Sequence, residues 1–182
     1  MRAPYRKICR RFCKATIYSP IFTDENSAKI KTIVVDYGVD KFGEQSLSAA
    51  SVTTIVYPEG MTSGNYLLSG CTALKNFTYA TADKTYLDAY DVSSLVDLTG
   101  LAQVSDYGVA QNAAAIENIL LPETIKNGQQ YGFGGAKALT RVWTVGFDMP
   151  EAGVMDLSQT GIKMICKGYF NNLDNIDDVY MP

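Results

Sequence analysis

The amino-acid sequence predicts a strand-rich α/β solenoid, right-handed, with a parallel sheet on one face and short helical turns or short strands on the return side. The first observation is a repeated pair of apolar residues three positions apart: Val52 and Ile55, Leu74 and Phe77, Leu95 and Leu98, Ile116 and Ile119, Leu139 and Val142, Ile176 and Val179. Successive first members stand 22, 21, 21, 23 and 37 residues apart. Units of this length are too short to bury their own apolar face and must stack on their neighbours. The second observation is the column three residues ahead of these anchors, Ala49, Cys71, Val92, Ala113, Ala136 and Leu173, apolar and mostly small, as close stacking of coils requires. The third is proline six residues after three of the anchors, at Pro58, Pro122 and Pro182. Each ends a short extended segment, because proline gives no ladder donor and disfavours helix in the residue before it.

Taken in order, residues 1–23 read as a basic N-terminal arm and residues 24–182 as one solenoid of about six repeats. Arg2, Arg6, Lys7, Arg10, Arg11 and Lys14 supply six of the 16 basic residues, and the first acid is Asp24. Residues 15–182 then carry 10 basic against 19 acidic residues, so an acidic solenoid follows a basic head. Lys29 to Val35 alternates as an extended capping segment ahead of the first unit. Each unit then runs as a strand of five or six residues, a turn and a return path. Within a strand, positions 0, 3 and 5 from the anchor face inward, the last being Tyr57, Tyr79, Gly100, Leu121, Thr144 and Met181. Leu68, Phe133 and Phe170 stand six residues ahead of their anchors.

The third unit is expected to be irregular, since its strand runs into Leu98-Thr-Gly-Leu101. The long interval between Leu139 and Ile176 holds a turn-rich stretch, Val145 to Gly153, a loop or partial coil, and an extra extended segment is expected at Gly161 to Ile165. Gly132-Phe-Gly-Gly-Ala-Lys137 begins like a dinucleotide fingerprint but carries Lys137 at the last glycine, so it reads as a tight turn between coils.

The stretch from Asp156-Leu-Ser-Gln-Thr-Gly-Ile-Lys-Met-Ile165 through Gly168-Tyr-Phe170 to Ile176-Asp-Asp-Val-Tyr-Met-Pro182 resembles the BspA-like bacterial surface leucine-rich repeats, whose unit reads roughly I-x-x-I-x-x-x-A-F-x-x-C-x-x-L-x-x-V-x-L-P. Cys71-Thr-Ala-Leu74 fits the C-x-x-L portion, Ile116 to Pro122 the strand, and Phe133 to Leu139 the aromatic-to-leucine spacing. The resemblance covers roughly residues 36–182. It implies a leucine-rich-repeat solenoid and a cell-surface or secreted adhesion or recognition role. Ala89 and Tyr90 depart from the family's Ala-Phe.

Composition narrows the chemistry. The chain has no histidine, so a Ser-His-Asp triad, a Cys-His dyad and a helical zinc-peptidase motif are impossible within it. No enzyme activity and no cofactor is expected. Cys9 and Cys13 lack two further ligands for zinc; Cys71 belongs to the small buried column and Cys166 to a return segment. Asp174, Asp177 and Asp178 lack the alternation of a calcium loop and read as a solvated acidic edge. No apolar run approaches the roughly 20 residues that span a bilayer. The arm has no apolar stretch of the kind a secretion signal needs, because Ala15 to Phe22 is broken by Ser19 and Pro20.

Function is therefore expected on surfaces. The outward positions of the sheet place Leu120, Trp143 and Tyr180 in one row and Asn118, Arg141 and Asp178 in the other, residue types that dominate protein-binding hot spots. These six are the expected contacts of a protein-binding module, with a glycan as a possible ligand and no specific nucleic acid. The alternative is a structural subunit of a larger assembly, a cell-surface or virion component, docked through the basic arm and the C-terminal edge. No polar capping unit follows the last strand, so further protein or a partner is expected to cover it.

Overall fold

The computed structural model describes residues 15–17, 29–48, 51–80, 94–105, 107–126 and 132–182. They form a parallel β-solenoid. Its main wall is one eight-stranded sheet, in the order β10-β9-β8-β7-β6-β5-β4-β2. The strands are β2 (Thr32–Val34), β4 (Thr54–Pro58), β5 (Asn76–Ala80), β6 (Val96–Asp97), β7 (Asn118–Leu121), β8 (Arg141–Thr144), β9 (Val154–Asp156) and β10 (Asp178–Tyr180). On the return wall β1 (Ala15–Ile17) pairs in parallel with β3 (Val39–Phe42). The described residues thus stack on one another in parallel, and Ala15–Ile17, within the span read as an arm, is a strand of the return wall. The remaining arm residues lie outside the described residues.

The anchors set the register. Ile55 pairs with Phe77, Phe77 with Val96, Val96 with Ile119, Ile119 with Val142, Val142 with Met155, and Met155 with Val179. All but Val179 are fully buried. The third unit is irregular in a specific way: Val96 takes the inward column, while Leu95 faces the other side of the sheet. The position-5 column turns inward at Tyr57, Tyr79, Leu121 and Thr144, all buried. Cys71, Ala113 and Ala136 are fully buried, and the Cys71 thiol donates to the Leu47 carbonyl at 2.9 Å. Ala49 and Val92 of the same column lie outside the described residues.

Of the two expectations for the return side, short helical turns or short strands, the helical turns are not there: among the described residues the chain contains no helix, while β1 and β3 are short strands. The return coils are single turns closed three residues apart, such as Cys71 N–H to Leu68 C=O, Leu74 to Cys71, Ala136 to Phe133 and Leu139 to Ala136. A left-handed residue stops each one from propagating. Gly70, Asn112, Gly135 and Asn172, each four positions before an anchor, have φ of +77°, +57°, +81° and +55°. Glycine and asparagine are the residues that enter this region at least cost. The α/β assignment therefore fails on a column of backbone conformations, not on the apolar pattern.

Two walls of unequal length follow from the hydrogen bonding. On the return wall, coil 59–70 bonds directly to coil 100–109 (Gly60 to Gly100, Ser63 to Gln103, Tyr66 to Tyr107, Leu68 to Val109). Two sheet strands, β5 and β6, correspond to that one step. Residues 126, 133 and 135 likewise bond directly to residues 163, 169 and 171 (Lys163 to Lys126, Phe133 to Tyr169, Gly135 to Asn171), where the sheet adds β8 and β9. The extra strand of the long interval is thus β9, not residues 161–165, which hold only an isolated bridge at Ile165. With ladder partners about 4.8 Å apart on both walls, the stack must curve, its sheet on the outside and its return wall on the inside.

Close contact on the shorter wall depends on glycine. A Cβ on Gly64 would sit 2.6 Å from the carbonyl carbon of Gly43 and 2.7 Å from the amide nitrogen of Glu44. Both are backbone atoms, so neither can swing aside. We expect Gly64→Ala to cost about 1–3 kcal/mol, lowering the melting temperature by roughly 5 °C. An unchanged melting curve would mean that these coils separate freely.

Candidate functional site

The outer face of the sheet divides into an open half and a clasped half. Over β2, β4 and β5 it shows Thr32, Val34, Thr54, Val56, Asn76 and Thr78, all exposed or half-buried. Over β6 to β8 it carries a second, smaller apolar cluster of Leu95, Leu120 and Trp143, against which Val145 and Met149 pack. The connection from β8 to β9, residues 145–153, therefore crosses the outer face, whereas the other described connections line the inner core with Leu47, Met61, Ile125 or Leu157. Arg141 fixes it: its Nε donates to the Pro150 carbonyl at 3.1 Å and its Nη1 to Asn118 Oδ1 at 3.2 Å. Asn118 in turn donates from Nδ2 to the Ser94 carbonyl at 3.0 Å.

This changes the standing of the six expected contacts. Leu120, Trp143 and Asn118 do lie on the outer face, but they are 0%, 1% and 3% exposed. Alternation gave the face correctly. It could not show that the turn-rich stretch after Thr144 folds back over it. Arg141 is half-buried and serves as the clasp for that loop. Only Tyr180 and Asp178, on the outermost strand β10, are exposed. The arm residues Arg2, Arg6, Lys7, Arg10, Arg11 and Lys14 lie outside the described residues.

Among the described residues a recess of about 510 Å³ lies on the return wall. Its floor is a ladder of four coils: Thr16 pairs with Lys41, Lys41 with Thr62, and Thr62 with Gln103. Turn residues complete the lining on either side, Gly43 and Glu44 on one coil, Ser63 to Asn65 on the next, Ser105 and Tyr107 on the third. A short polar network fixes the third coil to the second. The Ser63 hydroxyl accepts the Ser105 amide at 2.6 Å, and the Ser105 hydroxyl donates to Asn65 Oδ1 at 2.5 Å. That leaves the Asn65 amide hydrogens, the Gln103 amide, the Lys41 ammonium and the Glu44 carboxylate at the rim to meet a ligand. The described residues that line the recess include no Ala, Val, Leu, Ile or Met. Among the described residues no group of three or more Cys, Asp or Glu could hold a metal ion.

The sequence contained the signal for this recess without announcing it. Thr16, Lys41, Thr62 and Gln103 are spaced 25, 21 and 41 residues apart, the last a double step because one link adds a strand but no return layer. No family model, curated protein or solved structure matches the chain. No helix among the described residues is long and apolar enough to cross a membrane.

Proposed function

We propose that this chain is a non-catalytic recognition module of the cell surface or the secreted space, and that its contact surface is the concave recess on the return wall. The observation that carries the reading is the lining, which among the described residues consists of hydroxyls, two amides, one ammonium, one carboxylate and one tyrosine, held on a ladder of hydrogen-bonded coils. Such a surface offers donors and acceptors at fixed intervals along one direction. It lacks the apolar anchors that dominate protein–protein hot spots. A glycan chain, rich in hydroxyls and extended, matches it better than a folded protein. The resemblance to bacterial surface leucine-rich repeats supports the same placement, and the absence of histidine weighs against hydrolytic chemistry.

The test is an NMR titration of the labelled chain with a panel of defined oligosaccharides, followed by the Lys41→Ala, Gln103→Ala double variant. We expect shifts confined to amides of residues 41–45, 62–65 and 103–107. The variant should bind at least about tenfold more weakly with a melting temperature within about 1 °C, since both side chains are exposed surface groups. If no oligosaccharide moves those amides, the recess is not the contact surface.

The second reading, a structural subunit of a larger assembly docked through the basic arm and the C-terminal edge, is favoured by one specific observation. The core-facing residues of the last coil, Phe170, Leu173 and Ile176, are half-buried and Val179 is 39% exposed, whereas the matching Phe133, Ala136, Leu139 and Val142 are buried.

A further inference from the structure

The two edges of the main sheet complement one another. At the β10 edge, Val179, Tyr180 and Met181 are 39%, 55% and 46% exposed, and Asp174, Asp177 and Asp178 stand around them. At the β2 edge, Val34 is 39% exposed and Lys29 and Lys31 are exposed beside it. An acidic edge of this kind repels its own copy and attracts the basic one.

A backbone motif sets the register between them. Just before the strand, one carbonyl accepts two successive N–H groups from the next coil. Lys31 C=O accepts from Thr53 and Thr54 at 2.9 and 3.1 Å, Thr53 C=O from Lys75 and Asn76 at 3.0 Å each, Glu117 C=O from Thr140 and Arg141 at 2.8 and 3.2 Å, and Gly153 C=O from Asp177 and Asp178 at 2.8 and 3.1 Å. The acceptor of the next step is the Asp177 carbonyl. The donors of the first step are the N–H groups of Lys31 and Thr32.

We propose that a second copy of this chain docks head to tail, its β2 continuing the sheet beyond β10 in parallel. Thr32, Ile33 and Val34 of one copy fall opposite Asp178, Val179 and Tyr180 of the other. That register brings Lys31, whose ammonium otherwise donates to the Ser51 carbonyl at 3.3 Å, next to Asp177, so that the side chain turns to the Asp177 carboxylate, and it sets Val34 against Tyr180. Opposite charges already attract in this column of the chain itself, where Lys75 Nζ reaches across two strand steps to lie 3.9 Å from Glu117 Oε1. The contact is heterologous, so it does not close on itself and copies add at both ends. Among the described residues neither β2 nor β10 has a further strand beside it, and such an edge is a template for this kind of addition. The inference is independent of the ligand assigned to the recess.

Sedimentation velocity over a concentration series of the intact chain tests it. The expected result is open-ended growth without a preferred closed oligomer. Lys31→Glu alone and Asp177→Lys alone should each weaken association by about three- to tenfold without altering the melting curve, because both side chains are exposed. Equimolar mixing of the two variants restores opposite charges at each junction and should recover growth. Val179→Asp, which places a charge in the apolar seam, should suppress association by more than tenfold. A monomer at every concentration overturns the proposal. So does association that Lys31→Glu leaves unchanged, since that result assigns the contact to two β10 edges or to other surfaces.

Discussion

Trp143→Ala is expected to destabilise the chain by about 3–5 kcal/mol, which lowers its melting temperature by roughly 10 °C. From the strand alternation alone, a binding hot spot at this position would lose a partner and leave stability untouched. The structure predicts the reverse, because Trp143 is 1% exposed between Leu120, Leu95 and the returning residues Val145 and Met149. Removing the ring takes away the surface on which the loop rests, and the Arg141 contact to Pro150 then has no floor beneath it. Trp143 is the only tryptophan, so its emission reports the clasp directly. In the wild type it should be blue-shifted and protected from acrylamide until the cooperative unfolding transition. Equilibrium urea denaturation checks the magnitude. A change below about 1 kcal/mol would mean that the clasp is open in solution and the outer face available.

How much of this was legible in the residues can be argued from particular columns. The apolar anchors gave the period, the inward register and the small column at Cys71, Ala113 and Ala136, because burial of a repeated face leaves a repeated mark. The same anchors placed the extra strand wrongly. Val154–Asp156 is a strand because it can pair beside β8 after a short crossing of the outer face, and its short segment offers no second apolar anchor ahead of Met155. Helical turns were expected on the return side since nothing in an apolar count reports backbone handedness. The signal was nonetheless present as Gly70, Asn112, Gly135 and Asn172, four positions before their anchors. A reading for left-handed positions would have found it.

The site shows a different limit. Outward position was readable for Leu120, Arg141 and Trp143, but exposure was not, because exposure depends on where a neighbouring loop goes. The turn-rich stretch from Val145 to Gly153 marked a loop without marking its side. Conversely, Thr16, Lys41, Thr62 and Gln103 share no charge and, beyond two threonines, no residue type. They become one surface only because their coils are hydrogen-bonded in sequence on the shorter wall. Polar columns are weakly constrained by packing, so they carry little pattern, although the recess is built from them.

Phe77→Ala is expected to have an effect as large as Trp143→Ala in magnitude and different in form. Phe77 is fully buried at the centre of an aromatic stack. Its ring lies 4.5 Å from that of Tyr57 at an interplanar angle of 25°, and 6.1 Å from Phe42. Loss of the ring forfeits about 3–5 kcal/mol of burial and cavity energy, part of it the pairing with Tyr57. The position matters as much as the amount. In a stack of coils each unit contacts only its neighbours, so stability is close to a sum of local interface terms. Phe77 sits on β5, whose ladder to the two-residue strand β6 has one pair, Phe77 with Val96, the thinnest junction of the sheet, while on the return wall residues 60–68 remain bonded directly to the coil after β6. Weakening the sheet side should leave those return-wall bonds as the main link between residues 29–75 and 94–182, and the single unfolding transition should separate into two. Hydrogen exchange would then show early loss of protection at Ile55 and Tyr57 with Ile119 and Val142 still protected. A single transition displaced to lower temperature, with protection lost uniformly, would show instead that the two halves remain one cooperative unit without the ring.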